Sequence, residues 1–205
     1  MSFIFCYYLY YFFTYYAIIR SGLKIYGEGE WQRRVHGAGR CRRWRKLHLA
    51  VDTASKQVIA CEVTADFVTD DQVLPDLLGQ MPQEMIATVA ADGAYDTRDC
   101  HDHIAALHAK ALIPPRENAV EWEEGHPRTR IVRAIQAQGR KGWKQASGYH
   151  RRSLAENAFF RLKILFGPRL RNRIFQAQCT ETYCRIAALD RMTTLGMPES
   201  VPMAA

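Results

Sequence analysis

Acidic residues are scarce where basic ones are densest. No Asp or Glu occurs from Trp31 to Lys46, which carries Arg33, Arg34, Arg40, Arg42, Arg43, Arg45 and Lys46. From Arg140 to Arg173 there are ten Lys or Arg and a lone acid, Glu156. Such stripes attract polyanions, nucleic acid above all, and a surface that only binds phosphate has no use for the one carboxylate. Paired cysteines are also missing. The six cysteines (Cys6, Cys41, Cys61, Cys100, Cys179, Cys184) form no C-x-x-C, which argues against a disulfide framework or structural zinc and for reduced thiols in the cytosol. Cys100-His101-Asp102-His103 has metal-binding residue types, but neighbours on a helix do not converge on one ion.

Charge is missing altogether before Arg20, and ten of the chain's 23 aromatic residues lie between Phe3 and Tyr16. As a membrane segment, residues 3–19 are at the short end of spanning length, and their Tyr is an interface residue rather than a lipid-core one. As a signal peptide they lack a basic leading region and a small-residue cleavage site. A third reading, sequence foreign to the domain such as a replaced or out-of-frame 5′ end, best fits the abrupt change of composition. The expected organisation is a divergent aromatic-rich segment over 1–20, one catalytic-type domain over 21–198 and a tail over 199–205. The length and the net charge of +7 suit a single basic domain.

From Ser21 the pattern is that of an α/β protein. Gly22–Tyr26 is expected as a short strand, and Lys46–Val51 with Gln57–Thr64 as a hairpin. Asp70-Asp71 caps a helix through Leu78. Ile86–Ala91 is a continuous apolar run that fits a buried central strand, ending at Asp92-Gly93. Thr97–Lys110 has helical spacing, Ala111–Pro115 is another strand, and a late helix runs from about Thr180 to Leu195. Residues 116–147 are polar and basic and suggest an insertion or long connection. The sum is a mixed sheet with helices on its faces.

The chemistry concentrates between Gly148 and Lys163. On a helix, Tyr149, Arg152, Glu156 and Lys163 fall within an arc of roughly 60°, with Leu154, Ala158, Leu162 and Leu165 behind them. A carboxylate holds a divalent metal and flanking cations hold phosphate oxygens, so this face suits phosphodiester chemistry. An ordinary solvated face with an Arg152–Glu156 pair, worth a few tenths of a kcal/mol, would look the same. Asp92, leaving an apolar strand in Ala-Asp-Gly-Ala-Tyr-Asp, adds a second carboxylate where ligands of α/β sheets bind, although most Asp-Gly pairs are simply turns. Two-metal phosphoryl chemistry draws its carboxylates from separate elements.

The spacing Y-x2-R-x3-E-x6-K of Tyr149, Arg152, Glu156 and Lys163 resembles the signature of bacterial insertion-sequence transposases of the DDE class. Asp92 is similar to that family's second acid. Gly22–Trp31, Trp44–Leu49 and Ala187–Met192 resemble the same group, so the likeness runs from about Ser21 to Pro198. It implies a ribonuclease-H-like catalytic domain using two Mg²⁺ ions to hydrolyse DNA phosphodiesters and transfer strands at element ends. By the resemblance Asp92 and Glu156 are catalytic metal ligands. Tyr149, Arg152 and Lys163 would grip DNA, joined by Arg151, Lys144, Arg42 and Arg43 of the basic stripes. Trp143 is either a stacking platform for an unstacked base or a buried structural residue. Double-stranded DNA is the expected partner, with a homodimer on paired ends and a cytoplasmic, nucleoid-associated location.

One departure stands out. The family's first catalytic Asp precedes a Ser/Thr-Gly-Leu-Lys strand, and here Ile19 holds that position, followed by Arg20-Ser21. The first acid is therefore expected to be missing and activity impaired, with Asp52 as a weak substitute in a turn where Asp is common anyway. The alternatives are a non-catalytic DNA-binding remnant and a membrane-anchored protein using residues 3–19.

Overall fold

The computed structural model describes residues 14–25 and 44–196. Its sheet is organised by β1 (Thr14–Ile25). Tyr15, Tyr16, Ala17 and Ile18 are buried, as aromatic and branched residues are when a strand is covered on both faces. β1 starts before the expected Gly22 and crosses the boundary drawn at residue 20. Tyr15 and Tyr16 of the aromatic stretch are buried in this strand, and residues 1–13 lie outside the described residues.

The hairpin is as expected, with β2 (Trp44–Asp52) and β3 (Val58–Ala65) antiparallel. β2 also pairs antiparallel with β1, Ile19 opposite Leu49 and Arg20 opposite His48. α1 (Asp70–Gly79) follows, its first turn closed by a Thr69–Gln72 capping box that satisfies amides left over at a helix start. β4 (Ile86–Ala90) runs parallel to β1 with Ala17 beside Ala90. After α2 (Arg98–Ala106) comes β5 (Lys110–Leu112), parallel to β4. The strand order is β3-β2-β1-β4-β5, and the short β6 (Arg169–Leu170) pairs with β1. This mixed sheet between helical layers is the ribonuclease-H-like arrangement that the resemblance implied.

Two layers of helices cover the sheet. On one face Val73, Leu74 and Leu77 of α1 and Ile104 of α2 pack with Tyr16, Ile18 and Ala50. On the other, α4 (Ser153–Phe166) and α5 (Phe175–Leu195) bury Ala155, Phe159, Leu162 and Leu189 against Ala17, Leu47 and Leu49. α3 (Pro127–Ser147) adds Ile131 and Trp143 against Tyr15, Ala90 and Leu112. The alternation of β1 therefore turns Ala17 and Ile19 toward α4, and Ile18 away from it.

Residues 116–147 depart most from expectation. Only 116–126 are irregular, and α3 occupies the rest. Its two segments meet at Gly139 (φ 75°, ψ 159°), a conformation glycine adopts at little cost. The first segment puts Ile131, Val132 and Ile135 on its inner side, and the second contributes Trp143. α2 ends at Ala106 rather than Lys110, and α5 starts at Phe175, five residues earlier than expected. Leu165, expected on the apolar back of the signature helix, is 46% exposed, while Ala155 and Phe159 take the buried positions. Among the described residues no helix is long and apolar enough to cross a membrane.

His48 lies fully buried on β2, its ring nitrogens 3.3 Å from the Tyr95 hydroxyl and 3.1 Å from Thr64 Oγ1. Burial lowers its pKa to about 4, with Asp70 opposing and Lys46 and Arg20 assisting. The folded value is below the unfolded one (about 6.5), so acid loads the unfolded chain first and stability falls as pH drops from about 6.5 toward 4. The full effect approaches about 3 kcal/mol at 1.36 kcal/mol per unit. Urea unfolding of the wild type and His48→Gln between pH 7 and 4 should show a steeper loss in the wild type; parallel curves would contradict this.

Candidate active site

Asp92 leaves the end of β4 and caps a 3₁₀ turn, Gly93–Tyr95. Its Oδ1 accepts from the Ala94 amide at 2.9 Å, and its carbonyl accepts from the Tyr95 amide at 3.1 Å. Gly93 fits closely: a Cβ there would be 3.2 Å from the Pro114 carbonyl oxygen, a tight contact. The turn thus lies against the chain leaving β5 while the carboxylate stays partly exposed. Two residues past the Ala17–Ala90 pair stand Ile19 on β1 and Asp92 after β4.

The signature residues do not share one helix. α3 ends at Gly148, whose φ of 74° is a left-handed cap, and Tyr149–Arg152 form a separate 3₁₀ turn before α4 begins at Ser153. This change of helix type rotates Tyr149 into the core, where it is 7% exposed, packs on Trp143 at 5.5 Å and donates to the Ala91 carbonyl at 3.1 Å. Tyr149 therefore does not lie on the front face that a continuous helix would give it. It braces the end of β4 against the start of α4. Burial pushes its phenol pKa up, Arg152 pulls it down, and Asp92 and Glu156 push it up again, so this one side chain is within electrostatic reach of both carboxylates.

Glu156 is exposed in the first turn of α4, one oxygen paired with Arg152 four residues back. Lys163, two turns on, donates to Ser21 Oγ of β1. Along the face of β1 toward α4 the side chains are Ala17, then Ile19, then Ser21. Ile19 is partly buried with the cluster that contains Phe159, so hydrocarbon stands between the end of β4 and the Lys163–Ser21 contact.

Asp52 stands apart. Its oxygens accept from the Ala54 amide (3.0 Å), the Ser55 amide (3.1 Å) and Ser55 Oγ (2.7 Å), and β1 lies between its strand and β4. Both oxygens serve the β2–β3 turn. Trp143 is 4% exposed in the α3 core, which fits the structural alternative. Lys144 and Arg151 are exposed, over the rings of Tyr149 and Tyr15 at 5.5 and 5.7 Å. Arg42 and Arg43 lie outside the described residues.

The donor chemistry fits a hard divalent cation in part. Among the described residues the only partner of the Asp92 carboxylate is the Ala94 amide, and Glu156 has one oxygen beyond its Arg152 contact. Anionic oxygens are the ligands such ions take. No group of three acidic, His or Cys side chains able to hold a metal occurs among the described residues.

Sequence reasoning passed over Asp96 and Arg128. Arg128 Nε and Nη2 donate to the two Asp96 oxygens at 2.7 and 2.9 Å. Asp96 was visible in the Ala-Asp-Gly-Ala-Tyr-Asp run, but nothing linear connects it to an arginine 32 positions away.

The mixed sheet carries Asp92 just past the end of β4 and Glu156 in the first turn of α4. The family model of the transposase DDE domain matches residues 20–189, and the chain belongs to that family, whose members generally use divalent metal ions. Among solved structures the chain is similar to the piggyBac transposase synaptic complex with hairpin DNA, at 9% identity and a TM-score of 0.49. The match covers 87% of this chain and 46% of that one, so the chain spans about half the length of that protein.

Tyr149→Phe removes the hydrogen bond to Ala91 and leaves a buried carbonyl unpaired, a change that costs about 1–2 kcal/mol. Urea denaturation should show that loss; unchanged stability would contradict the bracing role.

Proposed function

We propose that this chain is the catalytic domain of a bacterial insertion-sequence transposase whose phosphodiester chemistry is impaired at one position. Asp92 and Glu156 are the acids that would hold divalent metal, Mg²⁺ in the cell, and Ile19 stands where a third acid would complete the set. The observation that carries this reading is positional: the β1–β4 register ends at the Ala17–Ala90 pair, and Ile19, on the α4 side of β1, and Asp92 each come two residues after it.

When bound between carboxylates, divalent metal activates the attacking oxygen and neutralises charge on the phosphodiester. The protein's own groups do the rest. Arg152 holds Glu156 in place and offers its remaining N–H groups to phosphate, and Lys163 places a cation beside β1. Exposed Lys144 and Arg151 extend that cationic surface, and Arg42 and Arg43 add positive charge in the sequence. Double-stranded DNA is the partner these charges suit, and the paired ends of a mobile element would bring two copies of the chain together. The cytoplasm, on the nucleoid, is the matching location.

The low-activity reading is tested by restoring the acid. Supercoiled plasmid nicking with Mn²⁺ should be slow in the wild type, rise at least tenfold in Ile19→Asp, and vanish when Asp92→Asn or Glu156→Gln is added. Brisk wild-type nicking, or no gain in Ile19→Asp, would overturn the assignment of position 19.

DNA affinity should fall steeply with salt, since each phosphate neutralised adds about 0.9 to the log–log slope. Lys163→Ala and Arg151→Ala should each flatten that slope by about one in fluorescence anisotropy, with the fold intact by circular dichroism. A slope that does not change would place the DNA elsewhere.

A further inference from the structure

Among the described residues Asp96 and Arg128 form the most enclosed arginine–carboxylate pair, their side chains 1% and 6% exposed. Every nitrogen of the guanidinium is engaged: Nε and Nη2 on the Asp96 carboxylate, and Nη1 on the Val120 carbonyl at 2.7 Å. The Trp122 ring covers it at 4.2 Å. His101 Nε2 lies 3.2 Å from the same carboxylate, while His101 Nδ1 is buried without a partner among the described residues. Burial alone would raise the Asp96 pKa, but the His101 and Arg128 hydrogen bonds and the Arg128 charge hold it at about 2.

Removing one partner of such a pair leaves a buried charge uncompensated, so its two backbones are held together strongly. One backbone is the Asp92 turn, where the Asp96 amide donates to the Gly93 carbonyl at 3.3 Å. The other is the first turn of α3, at whose far end Gly148, Tyr149 and α4 follow. The pair thus joins the loop that presents Asp92 to the helical body that delivers Glu156. The Tyr149–Ala91 hydrogen bond closes the same frame from the opposite end of α3.

We propose that Asp96 and Arg128, with His101 supporting the carboxylate, are positioning residues that fix the Asp92 carboxylate relative to Glu156. The pair touches neither metal nor DNA and acts only through the 92–97 turn. This rests on the reading of Asp92 as a metal ligand given above.

The test is made on the whole chain by amide hydrogen exchange and by Mn²⁺ titration, comparing Arg128→Lys and Asp96→Asn with Arg185→Met. Arg185 anchors α5 to the Gly167 and Arg169 carbonyls and pairs with Glu181 one turn back on the same helix, and none of these partners belongs to the 92–97 turn. Arg128→Lys keeps the charge and loses the fork, so it remains informative if Asp96→Asn fails to fold. Exchange at the amides of residues 94–97 should rise at least tenfold and Mn²⁺ affinity should fall at least tenfold in the Asp96 and Arg128 variants. Arg185→Met should move neither. A rise in exchange spread evenly over the chain would make the pair a general stabiliser and overturn the proposal, as would a local rise with unchanged Mn²⁺ affinity. If Asp92→Asn binds Mn²⁺ as well as the wild type, the reading of Asp92 as a ligand fails. The exchange result then still decides whether the pair holds the turn.

Discussion

The structure depends on β1 being covered on both faces while paired on both edges. A strand in that position has no solvent side, so its core must be apolar or aromatic, and Tyr15 to Ile18 satisfy this. Because its neighbour β4 is parallel, the two strands deliver their following residues to the same end of the sheet. Ile19 on β1 and Asp92 after β4 each come two residues past the Ala17–Ala90 pair, and the proposed position of a third acid rests on that count.

The helical layers convert this end of the sheet into a site. α4 packs on β1 through Phe159 and Leu162, which leaves Glu156 exposed one turn earlier and Lys163 beside Ser21. Tyr149 leaves the helix altogether and becomes an internal strut. A residue type with a polar tip and a large apolar body suits that role, since it fills the space beside Trp143 and still satisfies the Ala91 carbonyl. The signature spacing thus separates a buried strut, Tyr149, from Arg152, Glu156 and Lys163, to which the proposed function gives the chemistry.

Much of this was legible in the chain. The hairpin, the apolar β4 and the Asp-Gly exit are local patterns, and local physics decides them. The end of the aromatic run, Tyr15 and Tyr16, enters β1, which composition alone did not show because the same residues suit a membrane edge and a buried strand. α3 was hidden because Gly139 divides it and its apolar residues lie in two short sets. The Asp96–Arg128 pair could not be read at all, since a long-range ion pair has no period and no spacing. Asp52 shows the converse: a plausible acid by position whose oxygens are already taken up by its own turn.

The central claim is that Asp92 and Glu156 form a partial metal site completed only by an acid at position 19. The most direct measurement is the number of Mn²⁺ ions bound per chain, counted by electron paramagnetic resonance of the free ion. The account predicts one weakly bound ion in the wild type, lost in Asp92→Asn, and a second ion in Ile19→Asp. Two tightly bound ions in the wild type, or binding that survives loss of both carboxylates, would contradict it.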